Sequence, residues 1–338
     1  MTLLQNAVIS AGCSCRLQPP NVATGYIELD PCERQLVSGI ATELAAAPHS
    51  SIQELPWIDL VRRNWERMPE RVRQFVRAFR RYGNDDGYLL VRGLPAEAGP
   101  LEYTPNGPAS VRREPSVPAA VLMLFATGLG DPVAYQPEKS GGLVQDVVPV
   151  PGMETFQGNA GSTAVLSFHV ENAFHEHRPE YITLLCLRAD HEGEAGLRIA
   201  SIRRALRHLD GGTVDVLSAA EFRTAAPPSF GHRDRSVPHA ILTGEADLRV
   251  DLSATTATTE RAAAAVRALT RALEAVAVTI HLEPGDWAIV DNRTAVHGRS
   301  PFTPRYDGYD RWLQRTYIAT DLRRSRSLRP GDGHVIVG

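Results

Sequence analysis

Between residues 145 and 320 the chain breaks into short runs closed off by turn residues. They are QDVVPV (145–150), TAVLSFH (163–169), YITLLCLRA (181–189), HAILTG (239–244), LRVDL (248–252), VAVTIHL (276–282), DWAIVDN (286–292) and WLQRTYIAT (312–320). A run of this length cannot bury its apolar face alone, so a chain with this many predicts a barrel or sandwich of paired strands. Helices interrupt at 199–209 and 258–277. The N-terminal quarter reads as helical, over 30–47 behind an Asp30-Pro31 start and over 58–81. GYLLVRG (87–93) is a further strand, residues 100–118 form a polar, proline-rich loop, and 119–129 is an apolar helix. The class is mainly β with α additions. With no internal repeat and no clean linker, residues 1–338 are expected to form one domain. Its parts are a mostly helical 1–128, a strand-rich core over 129–321, and a tail over 322–338 in which Arg323, Arg324, Arg326 and Arg329 read as solvated.

A net charge of −3 with 22% charged and 43% hydrophobic residues gives no reason to expect nucleic acid or an anionic membrane as partner. No apolar run reaches the length of a transmembrane helix, and residues 1–15 lack the pattern of a signal peptide, so the expectation is cytoplasmic. Four cysteines, Cys13, Cys15, Cys32 and Cys186, are too few and too scattered for a disulfide framework. Cys13 and Cys15 have no second pair with which to complete a metal site.

SFHVENAFHEHRP (167–179) holds three histidines and two glutamates. If the strand ending in SFH continues through Val170, His169 and Glu171 point to one face. His297, after the strand DWAIVDN, is the strongest candidate for the third ligand they need. Two histidines and one carboxylate leave about three open positions of an octahedron, the arrangement of non-haem Fe(II) sites that bind cosubstrate and O2. Arg311 follows His297 by fourteen positions and Arg315 by eighteen. An even separation on one strand aims both at one face, and a guanidinium grips a carboxylate bidentately. That is a kit for an iron enzyme with a dicarboxylate keto acid as cosubstrate. On a solvated edge strand the same arginines would mean nothing of the kind. His175-Glu176-His177 offers a rival, cupin-like HxH, with Glu180 beyond Pro179 as its carboxylate.

HVENAFHEHRPEYITLLCLRADHE, PGDWAIVDNRTAVHGRSPFTPRYDGYDRWLQRTYI and GLVQDVVPVPG resemble the clavaminate synthase-like branch of the Fe(II)/2-oxoglutarate-dependent oxygenases, from about Leu129 to Asp321. The branch includes hydroxylases of free arginine, asparagine and lysine. The resemblance implies a double-stranded β-helix (jelly-roll) core with helical additions. It makes His169, Glu171 and His297 the iron ligands and Arg311 the receptor for the far carboxylate of 2-oxoglutarate. Arg315 becomes the receptor for a substrate α-carboxylate, with Gln136 near the substrate and Asp251 on a lid-like segment. The cofactors it implies are Fe(II), 2-oxoglutarate and O2. The activity is hydroxylation of an unactivated carbon in a free or carrier-bound amino acid or small derivative of specialised (antibiotic) metabolism, with succinate and CO2 as coproducts. A carrier protein is a partner in the carrier-bound case.

The chain also departs from that pattern. Leu197 stands where relatives commonly carry a threonine beside 2-oxoglutarate, and Ser253 where arginine-binding relatives carry a second lid acid. Three alternatives stay open: desaturation or cyclisation by the same ligand set, a non-catalytic metal-binding protein on the same fold, and a zinc hydrolase that would leave Arg311 without a role.

Overall fold

A computed structural model describes residues 25–96, 100–230 and 236–337. Cys13, Cys15 and His232 lie outside the described residues.

Two sheets face each other. The larger has nine strands, among which Tyr88–Arg92, Trp287–Asp291, Tyr181–Arg188, Trp312–Ala319 and Asp131–Tyr135 lie side by side in that order. The smaller has four, in the order Val278–His281, Gly196–Ser201, Ala295–Arg299, Leu166–His169. Period-two alternation decides what each strand offers the space between them. On the small sheet Leu197, Ile199 and Ala295 join an inner cluster with Leu184, Cys186, Ala288, Val290 and Leu313 of the large one. Their neighbours Phe168, Val170, Ala200 and Val296 turn outward, under the amphipathic helix Glu260–Val276, which buries Ala262, Ala265, Leu269, Ala272 and Leu273.

The outer face of the large sheet is covered by the N-terminal helices. Asp30 caps Pro31–Ala45 through a capping box with Glu33, Pro31 standing in the first turn. Helix Val117–Leu129 is apolar on nearly every side because it is buried on nearly every side, between the sheet and the three preceding helices. Phe125 bridges them, 4.5 Å from the Trp287 ring and 6.0 Å from Trp65. Gly128 is required there, since a Cβ would meet the Trp65 ring at 2.4 Å.

Three expectations need correction. The helical pattern over 58–81 is two helices, Leu55–Trp65 and Glu70–Tyr82, because Pro69 lacks the amide that a continuous helix needs. Residues 199–209 begin as the end of strand Gly196–Ser201, and Ser201 then caps only a single turn, Ile202–Ala205. There the alternation of Leu197 and Ile199 outweighs the helical spacing that follows. The C-terminal segment is not a free tail: Val335–Ile336 pairs with Asp131–Tyr135. Arg329 is buried, donating to the carbonyls of Leu322 (2.6 Å) and Gly333 and to Ser325 Oγ. No helix among the described residues is long and apolar enough to cross a membrane.

Candidate active site

His169 ends its strand directly opposite His297, its register partner on Ala295–Arg299. With Phe168 and Val170 turned outward, His169 and Glu171 turn inward together. Ligand atoms of His169, Glu171 and His297 all lie within 4.8 Å of one another. Glu171 Oε2 stands 3.7 Å from His297 Nε2 and 4.0 Å from His169 Nε2.

The protonation states suit a cation. His169 Nδ1 lies 2.8 Å from the Ser167 carbonyl, which can only accept, so Nδ1 is the donor and Nε2 is the nitrogen turned toward Glu171. Burial, reinforced by His169, pushes the His297 ring down to about 4, so it is neutral at physiological pH. Its Nδ1 is buried without a hydrogen-bond partner among the described residues. Burial raises the Glu171 carboxyl, but Arg315 and the two imidazoles outweigh that and hold it far below the usual range. A neutral imidazole and an ionised carboxylate are ligand forms needing no proton release. Two nitrogens and one oxygen on one side of a point match the facial set of non-haem iron.

Beside the triad is a cavity of about 400 Å³ whose walls include Glu138, Asn159, His169, Glu171, Asn172 and Asp251. Arg315 is buried behind it at 2% exposure, reaching Glu171 Oε2 (3.2 Å), Glu138 Oε1 (2.5 Å) and Gln145 Oε1. The Asn159 carboxamide, oxygen toward the guanidinium, accepts from Nη1 (2.7 Å) and Nη2 (2.9 Å). Glu138 Oε1 also accepts from Tyr317 OH (2.8 Å), whereas Glu138 Oε2 is buried with no hydrogen-bond partner among the described residues. Burial pushes the Glu138 carboxyl up even against the opposing Arg315 charge.

Arg311 is the opposite case. It is 7% exposed, its guanidinium 5.8 Å from the Phe302 ring, with no hydrogen-bond or ion-pair partner among the described residues. Burial lowers its pKa, and Cys186 and Asp190, neither of them in an ion pair with it, offset that cost only in part. Its neighbour Arg299 is satisfied by the carbonyls of Gly161, Ser162 and Ala164. Among the described residues, then, the Arg311 charge is left without an ion-pair partner.

The remaining candidates divide. Asp251 lines the cavity, its Oδ1 taken by Ser253 N (2.8 Å), Ser253 Oγ (2.6 Å) and Ala254 N (3.1 Å). It is thus a turn residue, and no hydrogen bond to its second oxygen is found among the described residues. Gln136 departs from the expectation: it is exposed and does not line the cavity. It follows Tyr135, whose ring packs inward against Tyr317, so alternation turns Gln136 out. Positive φ at Lys139, Ser140 and Gly141 then folds the chain back and leaves Glu138 facing in. Glu138, Gln145 and Asn159 had no role in the sequence reading. Gln145 was open to alternation, since it is the register partner of Arg315, but nothing local marks Glu138 or Asn159.

Leu197 is a buried member of the inner cluster and the register partner of Arg299, so this position offers no hydroxyl. His175 packs edge-on against Tyr135 and through Nδ1 accepts from the His177 amide. Glu180 is paired with Arg293 at 2.5 Å. The HxH pair and its carboxylate are therefore not assembled into a metal-ligating group among the described residues.

Residues 68–317 match the family described as taurine catabolism dioxygenase TauD, TfdA family. The chain is 54% identical to L-asparagine oxygenase of Streptomyces coelicolor over 314 residues, covering 92% of this chain and 94% of that one. It is 35% identical to clavaminate synthase 2 of Streptomyces clavuligerus, covering 92% and 96%. A solved structure of asparagine oxygenase with Fe(II), (2S,3S)-3-hydroxyasparagine and succinate superposes with a TM-score of 0.90 at 54% identity, covering 93% of this chain and 99% of that one. A non-haem iron oxygenase holding Fe and α-ketoglutaric acid superposes with a TM-score of 0.83 at 29% identity, covering 92% and 99%.

Proposed function

The chain belongs to the TauD/TfdA dioxygenase family and is an Fe(II)/2-oxoglutarate-dependent oxygenase, and on that premise we propose that it hydroxylates a free, polar α-amino acid of the size of L-asparagine. The observation that carries this reading is the pairing of Arg315 with Glu138 at the cavity. A guanidinium and a carboxylate with an unpartnered buried oxygen, side by side, form a complementary receptor for a zwitterion. The α-carboxylate goes to Arg315 and the ammonium to Glu138 Oε2. The uncommitted oxygen of Asp251 then meets a side-chain amide N–H, and with Ser253 in place of a second acid a longer guanidinium side chain is less well matched. A free amino acid fits this receptor better than a carrier-bound one, whose carboxylate is consumed in the linkage.

In this reading His169, Glu171 and His297 hold the iron, and Arg311 takes the distal carboxylate of 2-oxoglutarate. The iron supplies oxidation of an unactivated C–H bond, coupled to conversion of 2-oxoglutarate into succinate and CO2. What the chain contributes is placement: two guanidinium receptors and one carboxylate fix two small molecules about a single point. The two facing sheets are read as the double-stranded β-helix core of a single domain spanning the chain, working in the cytoplasm. The specific relationship to L-asparagine oxygenase favours hydroxylation over desaturation or cyclisation.

The test is turnover. Purified protein with Fe(II), 2-oxoglutarate, ascorbate and a panel of amino acids is expected to give L-asparagine-dependent succinate and a product 16 mass units heavier, about one oxygen atom. His297→Ala abolishes both. Succinate release indifferent to every amino acid, or full activity in His297→Ala, overturns the assignment.

A further inference from the structure

Glu171 is held by its peptide group as well as aimed by its side chain. The strand that delivers it ends at His169, and Asn172, the residue after Glu171, sits at φ 53°. Among the described residues Glu171 has no backbone ladder partner. Its backbone is taken instead by the side chain of Asn292, a fully buried residue in the turn between Trp287–Asp291 and Ala295–Arg299. Asn292 Oδ1 accepts from Glu171 N at 2.7 Å, and Asn292 Nδ2 donates to the carbonyls of Glu171 (3.1 Å) and Pro179 (2.9 Å). Its own amide donates to the carbonyl of Glu180 at 2.9 Å. The carboxamide thus mimics a rung of antiparallel sheet and closes the loop from Glu171 to Pro179.

We propose that Asn292 is a positioning residue for the iron site: it fixes the Glu171 peptide so that the carboxylate reaches the point shared with His169 and His297. The proposal rests on the assignment of Glu171 as an iron ligand. Asn292 lies five residues before His297, so the turn that carries one ligand also clamps another. The clamp has an opponent. Arg315 draws Glu171 Oε2 from 3.2 Å, and a Glu side chain whose backbone is loose can follow that charge instead of the metal.

The experiment uses the full chain, with Co(II) as a spectroscopic probe of the iron site. Asn292→Asp keeps the shape and the Oδ1 acceptor but sets an oxygen against two carbonyls, and Asn292→Ala removes all three bonds. Leu269→Ala, buried under the distant helix Glu260–Val276, is a control that loses stability through packing alone. Both Asn292 variants are expected to bind Co(II) about 10- to 100-fold more weakly, with an altered d–d spectrum, and to release more succinate per hydroxylated product. The control should bind Co(II) as the wild type does, even if it melts as early. Unchanged affinity and spectrum in the Asn292 variants, or failure of both to fold, would reduce Asn292 to a folding determinant and overturn the proposal. The wild type and His297→Ala report separately on the ligand set. If the wild type binds Co(II) no better than His297→Ala, the iron-site assignment falls, and the proposal with it.

Discussion

Nη1 of Arg315 lies 3.2 Å from Oε2 of Glu171, so the cation read as the substrate's anchor also leans on a member of the proposed metal triad. Burial disfavours the Arg315 charge, but Tyr317, Glu171 and Glu138 more than restore it, and its pKa is raised. Arg315→Gln leaves Glu138 and Glu171 facing each other without a buried cation. Breaking such a pair costs about 3–5 kcal/mol. The metal-free variant is expected to melt well below the wild type and to gain more from Co(II) than the wild type does, because the ion replaces the missing positive charge. Calorimetry with and without Co(II) checks this. Equal melting of the two metal-free proteins would mean that Arg315 is not holding the carboxylates.

Arg311→Leu should behave in the reverse sense. Arg311 is buried and unpaired, so its removal deletes a desolvated charge rather than an ion pair. The ligand-free variant is expected to be as stable as the wild type or more so, by about 1–3 kcal/mol. The wild type gains stability from 2-oxoglutarate by mass action, and the variant loses that gain. Thermal melts across a 2-oxoglutarate titration separate the cases. A strong loss of stability without ligand would make Arg311 a structural residue.

How far the sequence speaks for this site depends on whether neighbours in space are also neighbours in pattern. His169 and Glu171 were legible because period two is a local rule, and Arg311 and Arg315 because one immediately precedes a clear strand and the other lies within it, at even spacing. The two-sheet layout was legible in the strand runs, yet Gly196–Ser201 was obscured by the helical spacing of the residues that follow it. Glu138 was beyond reach. It stands just before a turn with positive φ at three consecutive residues, a backbone event that KSG does not announce. Gln136, two residues earlier, had the right chemistry on the wrong face. Asn292 was invisible for a different reason: its partners, Glu171 and Pro179, lie more than a hundred positions away.

Glu138→Gln tests the zwitterion reading. The substitution keeps the shape but removes the negative charge that faces the ammonium. A hydrogen bond to a charged group contributes about 1.5–3 kcal/mol, so KM for the amino acid should rise about 10- to 100-fold. Discrimination against the deamino analogue, succinamate, should shrink by a similar factor, while KM for 2-oxoglutarate stays put. Steady-state kinetics on the two compounds decides. Unchanged discrimination places the ammonium elsewhere.

Lys139 supplies a pH dependence with a definite sign. Its Nζ donates to the carbonyls of Ser110 (3.3 Å) and Asp146, and burial followed by Arg315 pushes its pKa from 10.5 down to about 8. Between these values the unfolded chain carries the extra proton, so this group makes stability rise with pH from about 8 to 10.5. Below 8 both states are protonated and the cost of burying the ammonium is felt in full. Lys139→Met removes that cost. Relative to the variant, the wild type should therefore gain stability between pH 7 and pH 10, by about 1–3 kcal/mol on the conversion of 1.36 kcal/mol per pKa unit. Urea titrations of both proteins at the two pH values measure the difference directly, since the buried tyrosines contribute equally to each. A gap between wild type and variant that is independent of pH, or that moves against the wild type, would place the Lys139 ammonium in water rather than behind Arg315.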